Sequence, residues 1–168
     1  MRRFTNRTAS LALLLLAVGG PNESEAQAMP SAEVERVSAE ARATMELYYS
    51  LFSERNMEAL PDRVFTIPWM TLGANGITTS TTRDEALVRW QASLIGLLQR
   101  GWDHSVFTVE DVCVLNVGAA IVSGYNTRYA EDGSEMSVGS LAYYLGLTDE
   151  GWRIIGYTGV ARGKTVSC

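Results

Sequence analysis

The chain carries one histidine, His104, and no other side chain is better suited to move a proton near neutral pH, since an unperturbed imidazole titrates at about 6.5. Asp103 precedes it and suggests a carboxylate–imidazole pair. On a regular strand, adjacent side chains point to opposite faces, so Asp103 is not expected to orient His104. His104 is instead expected to share a face with Val106 and Thr108, at the rim of any pocket lined by that face. The alternative is a hydrogen-bonded or solvent-facing histidine at a strand end. Cys113 and Cys168 are the other reactive groups. With a single histidine and two distant cysteines there is no ligand set at zinc-like spacing, so neither a metal nor a cofactor is expected. Cys113 lies in an apolar, strand-like run and Cys168 ends the chain. Two unpaired thiols are therefore expected, although an oxidising compartment would let them join. The sequence contains no glycine-rich phosphate loop, nucleophile elbow or paired-carboxylate arrangement.

The elements that must position these groups are well marked. Val37, Ala41, Met45, Tyr48 and Phe52 recur at spacings of three and four, which predicts an amphipathic helix from about Val34 onward. Val64 to Leu72 is β-rich but contains Pro68, so a short or edge strand is expected there. Gly73 to Thr82 reads as a polar loop. Thr82-Arg83-Asp84-Glu85 fits a capping box, and Leu87, Trp90, Leu94 and Leu97 or Leu98 form the buried stripe of a second helix that Gly101 is placed to end. Four extended runs follow, Trp102–Leu115, Ala119–Tyr129, Glu135–Leu147 and Trp152–Val160, joined by turns that include Asp132-Gly133 and Glu150-Gly151. Helices first and long antiparallel strands after mean an α+β fold, with a curved sheet wrapped on the helices and a cavity on its concave side. Residues 161–168 read as a loose tail.

Composition limits the partners. The 168 residues are 46% hydrophobic and 20% charged, an ordinary globular balance sufficient for one domain. A net charge of −5 with a single lysine leaves little to neutralise phosphate, so no nucleic acid or anionic membrane partner is expected. Residues 1–28 have the three parts of a secretory leader: Arg2, Arg3 and Arg7, the apolar run Leu11–Val18, and the small-x-small site Ala26-Gln27-Ala28. The expected product is a secreted or periplasmic domain spanning 29–160 and followed by the tail. The apolar run falls well short of the ~20 residues needed to span a bilayer.

At this point the chain resembles the nuclear transport factor 2-like superfamily, including its ketosteroid isomerase-like and SnoaL-like members, over roughly residues 33–160. The resemblance rests on three stretches in order: Tyr48-Tyr49-Ser50-Leu51-Phe52-Ser53-Glu54-Arg55-Asn56, Gly118-Ala119-Ala120-Ile121-Val122 and Asp149-Glu150-Gly151-Trp152-Arg153-Ile154. It implies a cone-shaped, cystatin-like α+β fold with a deep pocket, and a homodimer through the outer face of the sheet. It implies no single reaction, because members include enzymes and binding modules. Carried over from the isomerases, the oxyanion donors fall on Tyr48 and Tyr143. The general-base position, just before a proline, falls on Ile67 before Pro68, and an aliphatic side chain cannot take a proton.

Counting outward from the turn at 131–133 pairs Ala130 with Ser134, Thr127 with Ser137 and Ile121 with Tyr143. This register puts Ile121, Ser123, Tyr125, Thr127, Leu141 and Tyr143 on one face, with Asn126 and Arg128 on the other, and the position that the resemblance carries over to Tyr143 assigns the first face to the cavity. The expected ligand-contacting residues are Tyr48, Trp69, His104, Tyr125, Leu141 and Tyr143, although Trp69 and Trp90 also suit plain core packing. Two functions compete. One is an exported, non-catalytic pocket for a small, largely apolar ligand. The other is an isomerase, cyclase or dehydratase of carbonyl compounds, with His104 as base and Tyr48 and Tyr143 as oxyanion donors.

Overall fold

Val37, Ala41 and Met45, spaced four residues apart, are at most 1% exposed, and they fix the inner face of helix α1 (Ser31–Ser53). The computed structural model describes residues 29–168, so the leader read at 1–28 lies outside the described residues. A 3₁₀ turn (Met57–Ala59) and the short α2 (Leu60–Arg63), with Pro61 in its first turn, lead into strand β1 (Phe65–Gly73). Then come β2 (Gly76–Ser80), α3 (Arg83–Leu98), β3 (Trp102–Asn116), β4 (Ala119–Ala130), β5 (Glu135–Thr148) and β6 (Gly151–Gly159). The six strands form one curved, unclosed sheet in the order β2-β1-β6-β5-β4-β3, antiparallel except for the β1–β6 pair. The fold is α+β, with the helices on the concave side.

The capping box forms as expected: the Thr82 hydroxyl accepts from the Glu85 amide, and the Glu85 carboxylate accepts from the Thr82 amide, both at 3.3 Å. Trp90, Leu94 and Leu97 of α3 pack inward with Leu60, Val64 and Phe65. Trp152 and Ile154 anchor β6, and the Trp152 indole N–H donates to Glu40 of α1 at 2.7 Å.

The structure corrects several expectations. β1 is neither short nor an edge strand, because β2 covers its free side. Pro68 is tolerated there because β1 pairs with β6 at Phe65 and again only at Met70, while its pairing with β2 starts at Trp69. The missing N–H falls in the gap between these ladders. Gly73 to Thr82 is largely a hairpin, not a loop, since β-branched residues at 77–79 pair back on β1 around a tight turn closed by Gly76.

The largest correction is to the register of β4 and β5. The turn closes where expected, with the Ala130 amide bonded to Ser134, and Tyr129 faces Glu135. Arg128 then faces Ser137, leaving Met136 as an extra residue in a β-bulge. From there on the register is displaced by one, so Val122 faces Tyr143 and Asn126 faces Gly139. Val122, Asn126 and Arg128 therefore share the concave face with Leu141 and Tyr143, while Ile121, Ser123, Tyr125 and Thr127 face outward. A single bulge exchanges the two faces of β4.

Residues 161–168 are not a loose tail either. The Val160 amide bonds to the Ser140 carbonyl at 2.9 Å, the Gly163 amide to the Ser140 hydroxyl at 3.2 Å and the Val166 amide to the Ser123 hydroxyl at 2.8 Å. These contacts lead the chain across the outer face of the sheet from β5 to β4. It ends at β3, where Cys168 forms a disulfide with Cys113, with 5.4 Å between the Cα atoms. The expectation of two free thiols is overturned because Cys113 points to the outer face, into the path of the tail.

Candidate functional site

The site is the hollow between α1, α3 and the concave face of the sheet. Consecutive tyrosines at the C-terminal end of α1 bring Tyr48 and Tyr49 over β5, and the alternation of β5 turns Leu141 and Tyr143 toward them. Trp69 comes from β1, Tyr157 from β6, and Trp90 and Arg89 from α3. The cavity volume is about 200 Å³.

The aromatic rings form a continuous cluster. Trp69 and Trp90 are 5.2 Å apart, Tyr48 and Tyr143 6.0 Å, and Tyr143 and Tyr157 5.5 Å. Both tryptophans fill core space and line the hollow at once. The two tyrosines carried over from the isomerases, Tyr48 and Tyr143, both reach the cavity, but Tyr143 exchanges its hydroxyl hydrogen bond with Tyr49 at 2.8 Å. Tyr49 was missed because the three-and-four spacing selected its neighbour. A helix wide enough to bury both Tyr48 and Tyr49 was the only available signal.

Burial pushes the hydroxyls of Tyr48, Tyr49 and Tyr143 well above the ordinary phenol range, with neighbouring tyrosines adding to the rise at Tyr48 and Tyr143. Burial raises Tyr157 too. The phenols therefore stay protonated and cannot serve as bases. The positive charge of Arg128, which lines the same cavity, opposes the rise at Tyr48, Tyr49 and Tyr157.

Two residues expected at the site are elsewhere. Tyr125 lies on the outer face of β4, opposite Ser140, as the bulge at Met136 requires. His104 is also absent from the lining. The concave face of β3 carries Ser105, Phe107 and Val109, whereas Val106 and Thr108 are exposed on the other side. His104 stacks on Tyr129 at 5.0 Å, and its Nδ1 hydrogen-bonds Asp103 at 2.9 Å. This contact overturns the expectation that Asp103 cannot reach its neighbour. Trp102 pairs with Ala130 and His104 with Tyr129, so Asp103 is the extra residue of a bulge and strict alternation fails there. The pair is partly exposed and lies outside the cavity lining.

In place of Tyr125 and His104, the structure brings Asn126 and Arg128 to the cavity. Asn126 is 7% exposed, and its Oδ1 has no hydrogen-bond partner among the described residues. The same holds for Nε of Arg128 and for the indole nitrogens of Trp69 and Trp90. Arg89 donates to the hydroxyls of Ser80 and Thr71, each at 3.1 Å, and lies 4.7 Å over the Trp69 ring. Neither arginine has a carboxylate partner among the described residues. The cavity lining contains no Asp, Glu, His or Cys, and Ile67 stands at the position carried over as the base. Among the described residues no group of His, Cys, Asp and Glu could hold a metal ion, and no helix is long and apolar enough to cross a membrane.

Comparison with known proteins places this geometry in context. Among solved structures, the chain is similar to a domain of unknown function with a cystatin-like fold from Nostoc punctiforme (17% identity, 81% of each chain covered, TM-score 0.60). It is also similar to an NTF2-like protein with a cystatin-like fold from Novosphingobium aromaticivorans (14% identity, 79% of this chain and 87% of that one, TM-score 0.60). A third is a nuclear transport factor 2 (NTF2-like) superfamily protein from Salmonella enterica (12% identity, 78% and 94%, TM-score 0.56). At these identities the likeness shows the fold alone. No curated protein matches the chain. The family described as NTF2-like protein (DUF6841) matches residues 39–162, from the middle of α1 into the C-terminal tail, and the chain belongs to that family.

Proposed function

We propose that this chain is an exported, non-catalytic binding protein whose cavity takes a small, largely apolar ligand. The observation that carries the reading is a ring-lined hollow with orphaned hydrogen-bonding groups and no carboxylate or imidazole in its wall. Buried polar atoms without protein partners are uncommon, and a ligand that hydrogen-bonds to such groups offsets the cost of their burial. The size supports a single-ring compound, since an apolar cavity of about 150 Å³ already accepts benzene and this one measures about 200 Å³. Export rests on the leader pattern at 1–28 and is supported by the Cys113–Cys168 bond, which persists in oxidising compartments. A homodimer through the outer face of the sheet is part of the same reading. It is supported by Val106 and Val138, 46% and 44% exposed, which flank Thr127 on that face.

The test is calorimetric titration of the purified domain with toluene and benzyl alcohol, beside incubation with ketones, epoxides and hydroxy-ketones followed by NMR. The expected result is saturable binding that Leu141→Trp abolishes by filling the hollow, with every incubated compound recovered unchanged. Turnover of any of them would overturn the non-catalytic assignment, and a failure of both ring compounds to bind would overturn the ligand assignment.

A further inference from the structure

We infer that the ligand is a single-ring carboxylic acid, its carboxylate held by Arg128 and its ring lying among Trp69, Trp90 and Tyr143. This rests on the reading of the cavity as a ligand site and specifies the chemical class it takes. Three of the four orphaned atoms are N–H donors: Nε of Arg128 and the indole nitrogens of Trp69 and Trp90. The fourth belongs to Asn126, a side-chain amide that offers an NH₂ as readily as an oxygen after a flip about its terminal bond. Tyr48 and Tyr157 bring protonated hydroxyls to the same wall. Among the side chains that line the cavity, arginine, indole and hydroxyl donors outnumber the acceptors, which suits a ligand rich in acceptors.

Charge narrows the class. A guanidinium in a ring-lined cavity is costly without a counter-charge, and the lining residues contain no acid that could supply one. Arg89 adds a second positive group, tethered to Ser80 and Thr71 and stacked on Trp69. The planar fork of Arg128 matches a carboxylate, which accepts up to four hydrogen bonds through two oxygens. Aromatic side chains supply half of the lining residues, so the remainder of the ligand is a flat ring that packs against them.

The experiment compares benzoate, its uncharged isostere benzamide, and toluene, titrated calorimetrically into the full mature chain and into Arg128→Gln. Benzoate is expected to bind tightest to the unmodified protein. Arg128→Gln is expected to weaken benzoate by about thirtyfold or more, the loss that follows removal of one partner of a buried charged pair, while near-ultraviolet circular dichroism reports an intact fold. Benzamide binding as tightly as benzoate, or benzoate indifferent to Arg128→Gln, would overturn the inference and leave the cavity reading standing. If none of the three binds even at millimolar concentration, the cavity reading falls and the inference with it. Should Arg128→Gln fail to fold, the benzoate–benzamide comparison on the unmodified protein decides the question alone.

Discussion

The Tyr49–Tyr143 hydroxyl pair couples helix α1 to strand β5 across the floor of the cavity. Both residues are buried, at 8% and 2% exposure, so each hydroxyl depends on the other. Tyr143→Phe leaves the Tyr49 hydroxyl without that partner and is expected to lower unfolding stability by about 1–3 kcal/mol, measured by urea denaturation. The double variant Tyr49→Phe/Tyr143→Phe should recover part of that loss, because no unpaired polar group is then left behind. The resemblance located Tyr143 from its strand position alone. The pairing of its hydroxyl was not legible, because it depends on which of two adjacent helical tyrosines reaches the sheet. His104 illustrates the opposite error: its residue type suited chemistry, but a bulge at Asp103 put it beside Tyr129 and away from the hollow.

At the scale of elements, bulges decide which side chains meet the ligand. β3 and β4 lose register three times, and at one of these points the Thr108 carbonyl comes so close to Gly124 that any Cβ there would collide with backbone. Glycine is required at that position by the close approach of β3. Gly124→Ala is expected to cost at least about 1–3 kcal/mol by overpacking, seen as a lower urea midpoint, and to disturb the neighbouring Asn126 enough to weaken ligand binding. Helix α3 was legible almost to the residue, since its capping box and apolar stripe are local signals. The faces of β4 were not, because turn counting has no means of detecting one extra residue at Met136.

For the whole molecule, the chain end matters more than its tail-like sequence suggests. The Cys113–Cys168 bond closes a loop of 55 residues in sequence separation and holds 161–168 against the outer face through Ser140 and Ser123. Cys168→Ser, or reduction of the bond, is expected to destabilise the fold by about 2–4 kcal/mol through the freed unfolded chain. The amides of Gly163 and Val166 should lose hydrogen-exchange protection at the same time. A Cys168→Ser protein with unchanged midpoint and unchanged exchange at those amides would contradict the clamp.

What was determined by sequence alone is what local spacing encodes: two amphipathic helices, the four long strands, their order, and through them an α+β fold with a curved sheet wrapped on the helices, while the cone and its tyrosines came from the family resemblance. Tertiary structure decided which face of β4 looks inward, that Arg128 and Asn126 line the cavity in place of Tyr125 and His104, and that the two cysteines meet. The physical reason is the same in each case. Helical and strand periodicities repeat over a few residues and survive in a linear reading. A bulge shifts every residue beyond it by one position, and a disulfide joins groups that only the completed sheet brings together.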